Sequence, residues 1–131
     1  MLLFTNVLLS FFSIGFGLWY TFNVYGMAND AASGTAMWGW MAVCLGIINL
    51  LIIFVSSVSK KPLHILKLVS ISLNGLIQWV PVVFWIVFDS EIVGEHGEKF
   101  VGKWLYSIPH ILIIILGFVC IIQILKQRKN L

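Results

Sequence analysis

A chain of 131 residues that is 60% hydrophobic and only 10% charged has too little polar surface to remain dissolved as a globular domain. Its apolar blocks of about twenty residues or more consume most of the length, which leaves no room for a soluble domain of about 50 residues and confines any function to a bilayer or its two faces. The net charge of +3 becomes informative once divided: Lys60, Lys61, Lys67, Lys126, Arg128 and Lys129 give +6 around one gap and the C-terminus, whereas Lys99 and Lys103 against Asp30, Asp89, Glu91, Glu95 and Glu98 give −3 in the other two gaps.

The first predicted span covers about 2–25. Its polar and small residues Asn6, Ser10, Ser13, Gly17 and Thr21 recur every three or four positions and therefore share one helical face. It lacks a basic leader, and its apolar stretch exceeds the roughly 7 to 15 residues of a signal-peptide core, so it is expected to be retained. The gap 26–35 is rich in Gly, Ala, Ser, Asn and Asp, as an exposed turn should be.

The second span, 36–58, carries a stripe of Gly39, Ala42, Gly46 and Asn49. In the turn 59–63 that follows, Pro62 suits the start of a helix, where the N–H that it lacks would have no partner. The third span, 64–88, has the clearest stripe: Lys67, Ser70, Asn74, Gln78, Pro81 and Trp85. Pro81 removes the hydrogen bond that the Ile77 carbonyl would accept and bends the helix there.

Between the third and fourth spans, Glu91, Glu95, His96 and Glu98 are weak candidates for a metal site, because oxygen-rich clusters hold hard cations and a His adds a zinc ligand. Their spacing matches no metal motif, and a solvated acidic loop is the expected reading. The fourth span, 104–125, offers only Ser107, His110 and Gly117 among Ile and Leu, and is expected to show the most lipid.

Short connections favour antiparallel neighbours, so the expected fold is all-α: one transmembrane domain over 1–131, with four helices in an up-down-up-down bundle. Because short cytoplasmic loops carry the excess of Lys and Arg, both termini are expected in the cytoplasm and the acidic 89–103 loop outside it, with the bacterial plasma membrane as the expected location. The basic residues read as topology determinants and contacts to anionic membrane lipids, and no nucleic-acid partner is expected.

Chemistry is thin. Cys44 and Cys120 fall at different depths, too far apart for a disulfide. The histidines His64, His96 and His110 form no pair at matching depth for a haem, and no acid lies within a span to drive proton antiport. No nucleophile, base and acid come together as a triad, and no phosphate loop is present, so no catalytic residue and no cofactor is assigned.

What remains is a candidate cavity. Asn49, Asn74 and Gln78 either bond across helices, for about 0.6 to 2 kcal/mol each, or line a hydrated or ligand-binding space with Pro81, Trp85 and His110. His110 is expected to point inward near Trp85 or Trp79. All six Trp and all three Tyr belong to the acid-bearing half or its rim, which suits either an interfacial anchor or a surface for a partner. The first functional expectation is association with another membrane protein, as an accessory subunit or an immunity-type helper. A homo-oligomeric channel or small carrier lined by Asn49, Asn74 and Gln78 is the alternative, and a quinone- or lipid-site subunit of a membrane enzyme the third.

Overall fold

The computed structural model describes residues 1–25, 34–88 and 106–130, and within them lie four long helices: α1 Leu2–Val24, α2 Ala36–Ser59, α3 His64–Phe88 and α4 Ile108–Lys129. Each is long and apolar enough to cross a membrane. The molecule is an all-α hydrophobic bundle of the kind that resides in a bilayer.

Every helix packs on its chain neighbours, most extensively α1 on α2, and α4 returns to α1 to close the ring. Asn6 meets Asn49 and Thr21 meets Ala36, so α1 and α2 run antiparallel. Ser13 meets Asn74 and Tyr20 meets Trp85, so α1 and α3 run parallel.

Glycines set the closest approach. A Cβ on Gly39 would lie 2.8 Å from the Gly17 carbonyl oxygen, and one on Gly17 would lie 2.7 Å from the Gly39 carbonyl oxygen. Lipid is as apolar as leucine and gives two helices no hydrophobic reason to join, so such backbone-to-backbone packing supplies the attraction. Further along, a Cβ on Gly46 would meet the Ser10 carbonyl oxygen at 2.9 Å, which extends the contact over about two turns of α2.

The stripes predicted from spacing face inward. Asn6, Ser10, Ser13, Gly17 and Thr21 of α1 are buried, as are Gly39, Ala42, Gly46 and Asn49 of α2 and Ser70, Asn74, Gln78, Pro81 and Trp85 of α3. On α4 the buried set includes Ser107, His110 and Gly117. Large apolar residues such as Phe4, Phe54, Ile65, Leu76 and Phe118 point outward.

The second and fourth helices bury nearly equal shares of their length, seven residues of 24 and six of 22. The fourth helix starts and ends later than the expected 104–125. Ser107 takes the N-cap position, Pro109 sits in the first turn, and Lys126, Arg128 and Lys129 extend the other end, where cations complement the helix dipole.

The turn between α2 and α3 is strained. Lys60 and Leu63 adopt φ values of 54° and 47°, a left-handed conformation that costs a residue with a Cβ about 1 to 2 kcal/mol. Lys60→Gly is therefore expected to raise the unfolding free energy by a net few tenths to about 1 kcal/mol, and the thermal midpoint with it, since glycine returns part of the gain as chain entropy. Lys61→Gly, with no such strain to relieve, is expected to lower it. Midpoints of the two purified variants falling together would refute the reading.

Candidate functional site

Buried polar groups of the four helices meet along the bundle interior. From Asn6 to Thr21 of α1 they extend over about 22 Å, most of a hydrocarbon layer of about 30 Å. Three clusters make up this ladder.

The first joins α1 to α2. Asn49 Nδ2 donates to Asn6 Oδ1 at 2.6 Å and to Ser10 Oγ at 2.7 Å, and Ser10 Oγ in turn donates to the Asn6 carbonyl at 3.0 Å. Both amide hydrogens of Asn49 are thereby used, while its Oδ1 has no partner within the protein. Ser70 Oγ is likewise buried without one. Ser10, Ser13, Asn49, Ser70 and Asn74 border about 160 Å³ of interstitial space that admits no water-sized sphere.

The second cluster joins α1, α3 and α4. Asn74 Nδ2 donates to Ser13 Oγ at 2.8 Å, and Gln78 Nε2 donates to Asn74 Oδ1 at 3.2 Å. The Gln78 amide therefore turns its oxygen to His110, which meets it through Nδ1. A carboxamide oxygen only accepts, so this orientation assigns the proton to Nδ1 and leaves Nε2 as an acceptor. Nε2 is buried without a partner among the described residues, and the imidazole stands edge-on to the Tyr20 ring with centroids 4.3 Å apart.

The third cluster closes the end opposite the basic residues. Tyr20 OH donates to Thr35 Oγ1 at 2.6 Å and accepts from Trp85 Nε1 at 2.8 Å. Tyr106 packs against Trp85 and Tyr20, with ring centroids 5.2 Å and 6.3 Å away. An aromatic plug thus covers the polar ladder.

The structure brings Asn74, Gln78 and His110 into one chain of hydrogen bonds and attaches Trp85 to Tyr20. Asn49 is bonded separately, to Asn6 and Ser10. Pro81 is buried in an α3 that stays helical through it. Trp79, an expected neighbour of His110, instead points outward at 52% exposure, because it lies one residue past the inward Gln78. Tyr20 was missed by sequence reasoning, yet it falls three residues after Gly17 on the buried face, a spacing that could have identified it.

The weak metal candidates Glu91, Glu95, His96 and Glu98 lie outside the described residues. Among the described residues no three His, Cys, Asp or Glu side chains come together. Cys44 is exposed, Cys120 is buried, and both are free thiols.

A further concavity lies on the outside. A groove of about 610 Å³ between α1 and α4 is walled by Phe11, Phe12, Phe16, Trp19, Ile108 and Pro109. Phe12 and Phe16 stack with centroids 4.9 Å apart, which holds that wall in one shape. Gly15 also lines the groove, with nothing within 4 Å of where its Cβ would be. The chain matches no protein-family model, and no curated protein and no solved structure is matched by it.

Proposed function

We propose that this protein is a non-catalytic accessory subunit or helper of a membrane complex, and that it seats a transmembrane helix of its partner in the groove between α1 and α4. The observation that carries this reading is the contrast between interior and exterior. Inside, the amides bond to one another around space too narrow for water. Outside, a broad, open apolar groove with a glycine in its lining lies on the bundle surface.

From Leu8 to Trp19 the groove follows α1 for about 16 Å, or three helical turns. Gly15 lets a second backbone come close, and the aromatic walls offer large contact areas at low entropic cost. In this reading the basic end and both termini face the cytoplasm, and the acidic connection lies on the other side.

Gly15→Trp fills the groove without touching the interior. The variant is expected to keep the wild-type thermal midpoint and to lose, by tenfold or more, the companion protein that gently extracted wild-type particles carry at fixed stoichiometry. Leu51→Trp on the exposed face of α2 is the control and should keep it. Unaltered stoichiometry in Gly15→Trp, or wild-type particles consisting of this chain alone, would remove the basis for the proposal.

A further inference from the structure

At the basic end, cations gather with no acid among the described residues to meet them. Lys67 stands in the first turn of α3 and is only partly exposed, and its Nζ finds one neutral acceptor, Ser56 Oγ of α2, at 3.1 Å. That hydroxyl gives its own hydrogen to the Lys61 carbonyl, so it has lone pairs for Lys67 but brings no charge. An ammonium has three donors, and a partly desolvated one calls for a charged acceptor.

The neighbours add to the demand. Both Lys67 and Arg128 lie close enough to act electrostatically on His64, and a buried nitrogen of that imidazole, Nδ1, has no partner among the described residues. The N-terminal pole of α3 points the same way, adding partial positive charge. All five acidic side chains belong to the connections that follow α1 and α3, at the opposite helix ends.

We propose that the turn between α2 and α3 binds the phosphate of an anionic phospholipid, with Lys67 as its anchor and Arg128 as a flanking cation. A lipid is favoured over a free anion by what surrounds the charge. Phe54, Val58, Ile65 and Leu66 are all more than half exposed beside the turn, an apolar surface that acyl chains cover and an inorganic ion does not. The site is independent of the α1–α4 groove.

The test uses the full chain in detergent, with phosphatidylglycerol, phosphatidylcholine or inorganic phosphate added at equal concentration. Phosphatidylglycerol alone is expected to raise the thermal midpoint by several degrees and to stay bound in native mass spectrometry at one molecule per chain. Lys67→Gln should weaken that retention at least fivefold, and Lys67→Arg should restore it. If Lys67→Gln does not fold, Arg128→Gln, on an exposed position, carries the same expectation of weakened retention. An equal response to phosphatidylcholine, an equal response to inorganic phosphate, or full retention in the folded glutamine variant would each overturn the assignment.

Discussion

Gly39→Val is expected to leave little folded protein in detergent or bilayers. The first atom of the new side chain would fall 2.2 Å from Thr21 Oγ1, 2.8 Å from the Gly17 carbonyl oxygen and 3.0 Å from Tyr20 Cδ1. Thr21 can turn away only by giving up its bond to the Ala36 carbonyl, and the Gly17 carbonyl belongs to the helix itself and cannot turn. The helices must therefore separate. Overpacking of this kind costs about 1 to 3 kcal/mol. Separation also strains the Asn49 contacts to Asn6 and Ser10, each worth about 1 kcal/mol. Together they reach about 4 kcal/mol, comparable with the lower end of whole-domain stabilities. Gly15→Val and Gly75→Val, where nothing lies within 4 Å, are the matched controls and should melt like wild type. A Gly39→Val midpoint within 2 °C of those controls, a margin set by about 0.5 kcal/mol, would show that the α1–α2 approach does not organise the bundle.

That contrast between glycines was partly legible in the sequence. Gly17, Gly39 and Gly46 share stripes with Asn and Ser, while Gly15 and Gly75 fall off them, so helical spacing already separates packed from open positions. The same periodicity turned Asn74, Gln78 and His110 inward. It did not pair them, because pairing depends on the axial register between helices, and close glycine contacts help to set that register. Asn74 took Ser13 and Gln78 rather than Asn49, a choice invisible in any single span. Adjacent rings show the sharpest limit: Tyr20 is fully buried and hydrogen-bonded, while Trp19 beside it is 45% exposed and lines the groove. Composition places both in one aromatic half, and only the 100° step of the helix separates their roles.

Gln78→Leu is the substitution that separates architecture from function. Leucine has nearly the same bulk, so the loss is chemical: Asn74 Oδ1 gives up its Gln78 donor and His110 Nδ1 its acceptor in a region sealed by the aromatic plug. A buried group left without a partner costs about 1 to 3 kcal/mol in water-soluble proteins, and measured couplings within membranes average nearer 0.6 and reach about 1.7. A loss of about 1 to 3 kcal/mol follows for Gln78→Leu in thermal or denaturant unfolding. Adding His110→Phe should return about 1 kcal/mol, since it removes the stranded donor and keeps a ring against Tyr20. Strict additivity of the two changes would mean that the Gln78 to His110 contact carries no energy. The folded double variant also bears on role. If the ladder is only the bundle's internal fastening, the double variant keeps its companion protein at wild-type stoichiometry, because the groove is untouched. If partner binding instead disappears while the double variant stays folded, the buried amides and imidazole are the working site, and the outer groove merely accommodates lipid.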